Sequence, residues 1–202
     1  QRENIRRMTG YASGEQPDNE LTIKLNTNEN PYPPSPHVSQ VLAQFKPESL
    51  RRYPPATAQK FRQLAAELHG LDLENVIATR GGDELLRLVI TTFVDPGEKI
   101  GMTDPTYSLY PVLAQIQNCP IAKVPLLDNW ALPDEFARSM NDAKVKLTFL
   151  VNPHAPTGAL LPIGQVSKLA SELNSILLLD EAYIDFVDHD YQTSQLVKQH
   201  EN

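Results

Sequence analysis

From residue 56 onward the chain alternates between short runs of consecutive apolar residues and longer segments with helical spacing. No other feature narrows the possible folds as much. The runs at 75–79, 99–103, 121–124, 146–151 and 176–179 read as strands, the last containing Ile176, Leu177, Leu178 and Leu179 in succession. The segments at 58–69, 83–93, 108–117, 133–140 and 162–174 read as helices. Phe61, Leu64, Ala65 and Leu68 share one face of the first, and Leu85, Leu86, Val89, Ile90 and Phe93 one face of the second. Strands apolar without alternation are expected to be buried on both faces, and strands separated by helices imply parallel crossovers. The predicted class is α/β, a doubly wound and mostly parallel sheet.

The stretch before residue 56 is different in kind. Seven of the 17 prolines (Pro31, Pro33, Pro34, Pro36, Pro47, Pro54 and Pro55) fall between positions 31 and 55. Proline removes a donor and fixes φ, so this stretch is expected to be an extended arm, residues 1–55, ahead of an α/β domain over 56–202. One short helix fits inside the arm. Ser35 can cap it, Pro36 takes its first position, and Val38, Val41, Leu42 and Phe45 make its apolar stripe.

Composition removes several function classes. At 202 residues with a formal charge of -7, the chain has no basic stripe for a nucleic-acid backbone. Its lone cysteine, Cys119, allows neither an intrachain disulfide nor a cysteine-rich metal site. The histidines, His37, His69, His154, His189 and His200, show no metal-ligand spacing, so no metal is expected. No apolar run approaches the ~20 residues that span a bilayer, and no secretory leader is recognisable. The expected setting is the cytoplasm.

In a doubly wound sheet, ligands bind beyond the carboxyl ends of the strands. The segments there are Arg80-Gly81-Gly82-Asp83-Glu84, Asp104-Pro105-Thr106-Tyr107, Asn152 through Gly158, and Asp180-Glu181-Ala182-Tyr183. Gly81-Gly82 opening a helix suits either an anion at the helix N-terminus or an ordinary tight turn. Tyr107 could stack on an aromatic ligand or pack at the sheet edge. Asp180, directly after four aliphatics, needs a cation or donor to offset its desolvation, whether from a ligand, a helix cap or a salt bridge. Asn152 begins a turn signature and could be a plain Asx-turn. There is no Gly-x-Gly-x-x-Gly, no Gly-Lys-Ser/Thr phosphate loop and no Gly-x-Ser-x-Gly elbow. A phosphate at a helix start, an aromatic over a ring and a carboxylate for a ring nitrogen together describe pyridoxal 5'-phosphate.

With those residues in view, the chain resembles the fold-type-I, class II aminotransferases, most closely the histidinol-phosphate aminotransferase family. The resemblance runs through Ile5-Arg6 to Tyr11, Leu25-Asn26-Thr27-Asn28-Glu29-Asn30-Pro31-Tyr32, Arg52-Tyr53-Pro54, the Gly81-Gly82 and Tyr107 segments, Pro156-Thr157-Gly158 and Asp180-Glu181-Ala182-Tyr183. It implies that the backbone around Gly81, Gly82 and Asp83 holds the cofactor phosphate and that Tyr107 stacks on the pyridine ring. It also implies that Asn152 belongs to the cofactor pocket, that Asp180 bonds the ring nitrogen and that Tyr183 reaches the ring hydroxyl. Tyr53 would cross a homodimer interface to the neighbouring subunit's phosphate, and Tyr11 and Asn28 would line the substrate entrance. The implied reaction is amino transfer between glutamate and imidazole-acetol phosphate in histidine biosynthesis. The alternatives are a threonine-phosphate decarboxylase-like enzyme and a non-catalytic truncated homologue.

Two departures accompany the resemblance. The family's Asn-Pro-Asn-Asn-Pro-Thr-Gly reads Asn152-Pro153-His154-Ala155-Pro156-Thr157-Gly158, so the amide that normally meets the ring hydroxyl is absent at Ala155. The family's Schiff-base lysine, in a Ser-Lys context well beyond the Asp-Glu-Ala-Tyr strand, is not in the sequence, nor is a C-terminal small domain, so the chain is expected to be an N-terminal portion.

Overall fold

The structure is a computed structural model that describes residues 1–11, 14–19, 21–187 and 191–202. His189 lies outside the described residues. Two units emerge, one of Gln1–Tyr11 with Phe61–Asn202 and one of Ala12–Lys60.

The larger unit is built on four parallel strands, β1 (Lys99–Asp104), β2 (Ile121–Pro125), β3 (Val145–Val151) and β4 (Ile176–Asp180), in the order β2-β1-β3-β4. The helices are α1 (Glu3–Arg6), α2 (Pro36–Gln44) in the smaller unit, α3 (Gln59–His69), α4 (Gly82–Phe93), α5 (Leu109–Gln117), α6 (Phe136–Asp142), α7 (Ile163–Glu172) and α8 (Leu196–Gln199). One core cluster joins Leu86 and Ile90 of α4 and Tyr110, Leu113 and Ala114 of α5 to Ile100, Met102, Leu147, Phe149 and Val151. The other joins Phe136 and Met140 of α6 and Leu169 of α7 to Val145 and Leu150. Helices therefore cover both faces of the sheet, as a doubly wound fold requires.

Local details follow from the residues. Pairing steps by one residue on β1, Lys99 to Ile100, and by two on β3, Val145 to Leu147. That bulge turns Val145 toward the α6 side, opposite to Leu147. Gly101 lies under it, where a Cβ would collide with Met140 Sδ and sit 3.0 Å from Val145 Cγ1. Arg2 Nη2 and Asn4 Nδ2 donate to the last carbonyls of α5, Ile116 at 2.7 Å and Gln115 at 2.8 Å, which fastens residues 1–11 to this unit.

Burial on both faces holds for the inner strands only. Six of the seven residues of β3 are buried, whereas every residue of β4 is half-buried, because among the described residues β4 has a strand neighbour on one side alone. The expected strand over 75–79 is absent as a strand. A 3₁₀ turn, Leu73–Asn75, closed by reciprocal Asp72 and Asn75 bonds, precedes extended backbone that no other strand among the described residues pairs. The helix expected from 133 starts at Phe136, whose N–H is bonded to the Pro133 carbonyl in a turn.

In the smaller unit, α2 forms as its sequence predicts. Pro36 is its first residue and the Ser35 hydroxyl accepts the His37 N–H at 3.4 Å. A 3₁₀ helix, Pro47–Arg51, follows, and neither element contains a buried residue. Lys24 Nζ donates to Thr27 Oγ1 at 2.5 Å and pairs with Glu29 at 2.7 Å.

Candidate functional site

The chain passes from β1 to β2 on one side and then returns to place β3 on the other. The strand order thus reverses between β1 and β3, and in such a sheet the crevice beyond the carboxyl ends of those two strands is the usual ligand position. Tyr107 lies in the loop after β1, residues 152–161 in the loop after β3, and Asp180 ends the adjacent β4.

The helix start comes first. Gly81 precedes α4 with φ +97, a conformation that favours glycine, and the Thr79 hydroxyl donates to its carbonyl at 2.8 Å. Glu84 reaches back to the Arg80 N–H at 2.7 Å and to its guanidinium at 2.9 Å, which braces the turn. The first intrahelical bond runs from Leu85 N–H to the Gly81 carbonyl, so the N–H groups of Gly82 and Asp83 have no partner among the described residues. A Cβ built on Gly81 or Gly82 meets nothing within 4 Å. Open space in front of free donors and the positive end of a helix suits an anion such as phosphate.

Next comes a chain of contacts from that helix to β4. Burial is the main cause that pushes the Tyr107 hydroxyl up to about 12, with the Asp83 charge and the neighbouring Tyr11 and Tyr183 hydroxyls adding to it. Three other residues singled out from the sequence, Tyr11, Asp83 and Tyr183, therefore lie close enough to act on Tyr107. Tyr107 sits edge-on to Tyr110 at 5.4 Å, and Tyr110 stacks on Phe149 at 4.5 Å. The Tyr110 hydroxyl donates to Asp180 Oδ2 at 2.7 Å, and the Ala182 N–H donates to Oδ1 at 3.1 Å.

That contact answers the question the sequence raised about Asp180. The donor is Tyr110, which sequence reasoning missed. The available signal was its place one helical turn after Tyr107, facing the sheet. Tyr110 is fully buried, and burial, followed by the Asp180 carboxylate, holds its hydroxyl far above the ordinary tyrosine range. Next along the chain, Glu181 takes the Thr193 hydroxyl at 2.6 Å, and burial raises its carboxyl above the ordinary value.

Asn152 is engaged on both sides of its amide. It is fully buried, its Oδ1 accepts the Leu161 N–H at 2.8 Å, and its Nδ2 donates to the Tyr191 hydroxyl at 2.7 Å. The carboxamide oxygen closes the 152–161 loop and the nitrogen ties that loop to Tyr191. Tyr53 and Asn28 belong to the smaller unit, where both are exposed and Asn28 adopts φ 53. A cavity of about 840 Å³ lies apart from the crevice, along the open side of β4, and is lined in part by Leu177, Leu179, Glu181 and His69. Among the described residues no cluster suits a metal ion, and no helix is long and apolar enough to cross a membrane.

Comparison with known proteins bears on this geometry. The sequence model described as aminotransferase class I and II matches residues 21–202. Histidinol-phosphate aminotransferase 1 of Trichormus variabilis is 39% identical over 202 residues, covering 100% of this chain and 56% of that protein. A solved structure of a protein from Erwinia carotovora, described as a histidinol-phosphate aminotransferase by assignment, is 27% identical with a TM-score of 0.76, over 86% of this chain and 52% of that one. Histidinol-phosphate aminotransferase from Sinorhizobium meliloti, solved in complex with pyridoxal-5'-phosphate, superposes with a TM-score of 0.74 at 23% identity, over 79% of this chain and 44% of that one. The chain spans about half the length of the curated relatives it matches.

Proposed function

Because the chain belongs to the class I and II aminotransferase family, we propose that it carries the pyridoxal-phosphate face of a histidinol-phosphate aminotransferase. The reaction is transfer of an amino group between glutamate and imidazole-acetol phosphate. The observation that carries this reading is the continuous line Asp83–Tyr107–Tyr110–Asp180, which joins an open helix N-terminus to a carboxylate along one rim.

The residues fit the cofactor. The N–H groups of Gly82 and Asp83, behind Gly81, hold its phosphate in the space that no side chain fills. The Tyr107 ring would stack on the pyridine. Asp180, fixed by Tyr110 and the Ala182 N–H, accepts the proton-bearing ring nitrogen, and Tyr183 donates toward the ring hydroxyl. The chemistry the bound group supplies is an electron sink for amino transfer. Tyr11 and Asn28 border the substrate entrance, and Tyr53 serves the neighbouring site of a homodimer. The protein works in the cytoplasm, with residues 1–11 of the N-terminal arm joined to the α/β unit.

A chimera tests the proposal. Residues 1–202 are joined to the remaining part of the Trichormus variabilis relative, and glutamate consumption is followed with imidazole-acetol phosphate. Turnover is expected, with a loss of at least about a hundredfold in Asp180→Asn, since a charge facing the ring nitrogen acts in a water-poor site. A folded chimera that binds pyridoxal phosphate but transfers no amino group, or that ignores Asp180→Asn, defeats the reading.

A further inference from the structure

His154 stands where the loop sequence departs from the family's usual asparagine. It is 7% exposed, and both of its ring nitrogens are engaged. Nε2 lies 3.2 Å from the Pro105 carbonyl and 3.3 Å from Thr103 Oγ1, and the Thr103 hydroxyl itself donates to Pro105 at 2.9 Å. Nδ1 lies 2.9 Å from Thr157 Oγ1, which also accepts the Ala159 N–H at 3.3 Å. A carbonyl oxygen has no proton to give, so Nε2 carries the hydrogen. The neutral ring then leaves Nδ1 to accept from Thr157. In that one tautomer every polar atom of the group is satisfied, and burial lowers the ring's basicity below the ordinary histidine value.

The two bonds do different jobs. Nδ1 bonds within the loop that carries His154. Nε2 crosses from that loop to the one after β1, two residues before Tyr107. We propose that His154 is a positioning residue: its Nε2–H bond to Pro105 holds the Tyr107 loop against the loop after β3 and so sets the crevice between them. This rests on the reading of the crevice as a pyridoxal-phosphate site.

The ionisable groups on the surrounding elements are accounted for. Asp104 pairs with Lys123 at 3.1 Å, Asp180 takes Tyr110, Tyr107 keeps its proton to about 12, and Lys99 and Lys146 lie at the amino ends of their strands. Burial and the Pro105 carbonyl alone act on His154. Its neutral form is favoured in the fold; protonation at Nδ1 would reverse the Thr157 bond and leave Nε2–H on the Pro105 carbonyl, so the bond between the loops does not depend on that proton.

Glutamine places its amide near the position of Nε2, and asparagine near that of Nδ1, so the two variants separate the two bonds. Pyridoxal-phosphate dissociation constants are measured by fluorescence quenching at about pH 8, where the histidine is neutral, for the 202-residue chain, His154→Gln and His154→Asn. His154→Asn should bind about tenfold more weakly and His154→Gln within about threefold. Equal weakening in the two variants overturns the proposal.

Amide exchange without cofactor gives a second readout. The Tyr110 N–H, bonded to the Tyr107 carbonyl at 3.2 Å, should exchange faster in His154→Asn, and the Ala159 N–H faster in His154→Gln. The reverse pattern, or no difference, also overturns the proposal. Failure of all three proteins to bind pyridoxal phosphate counts against the proposed function, while the exchange pattern still decides the case of His154.

Discussion

The bond from Tyr110 to Asp180 settles how a carboxylate can end a strand of aliphatic residues. A lone buried carboxylate is costly, and a hydrogen bond from a hydroxyl that never ionises in the working range offsets that cost. Burial keeps the Tyr110 hydroxyl protonated, and its ring is held flat on Phe149. Tyr110→Phe keeps the stacking and deletes the donor. The expected result is a loss of about 1.5–3 kcal/mol in a urea titration, the usual range for a hydrogen bond to a charged acceptor. An unchanged midpoint would show that water already serves Asp180. At this scale the sequence disclosed Asp180, Tyr107 and the glycine pair, since each is conspicuous beside its neighbours. Tyr110 and His154 were hidden, because their partners lie 70 and 49 residues away along the chain.

Elements depend on partners in a way that single residues do not. The segment 75–79 has the β-branched and apolar character of a strand, yet Ile77 is 66% exposed and extended backbone is all that forms. A strand is completed by a neighbour that takes its N–H and C=O groups, and periodicity carries no information about whether one is present. What holds this stretch is Arg62, whose guanidinium donates to the carbonyls of Val76 at 2.5 Å and Leu73 at 2.8 Å. Hydrogen exchange checks this directly. The amides of Ile77 and Ala78 should exchange at near-unprotected rates, while those of Phe149 and Leu150 in β3 should be among the slowest. Equal protection in the two segments would mean that 75–79 is paired after all. Helices fared better, because α4, α5 and the capped α2 bury or expose a face by their own spacing, and their ends moved by only a residue or two from expectation.

At the scale of the molecule the consequence concerns lysine. Amino transfer by this family's chemistry needs an amine that forms a Schiff base with the cofactor. Lys99, Lys144 and Lys146 lie at the amino ends of strands, away from the crevice. Lys168 faces Glu172, Lys198 donates to the Gly70 carbonyl and Lys123 pairs with Asp104, while Lys24, Lys46 and Lys60 precede the Asp180-Glu181-Ala182-Tyr183 segment that the resemblance places ahead of its lysine. Pyridoxal phosphate should therefore bind these 202 residues without a covalent bond. Borohydride reduction and peptide mapping are expected to yield no stoichiometric pyridoxyl-lysine. One such lysine, accompanied by turnover, would make residues 1–202 an enzyme by themselves.

The sequence alone determined the class of fold and the chemistry at stake. Apolar runs between amphipathic helices allow few arrangements other than a doubly wound sheet, and polar turn residues collect where those strands end. Tertiary structure alone decided the order β2-β1-β3-β4, and with it which two loops form the crevice. It also decided that Asn152 closes its own loop, that Asp180 is held by Tyr110, and that 75–79 stays unpaired. Spacing along a chain reports which face a residue turns inward, whereas a hydrogen-bond partner is chosen by proximity in space, which packing supplies.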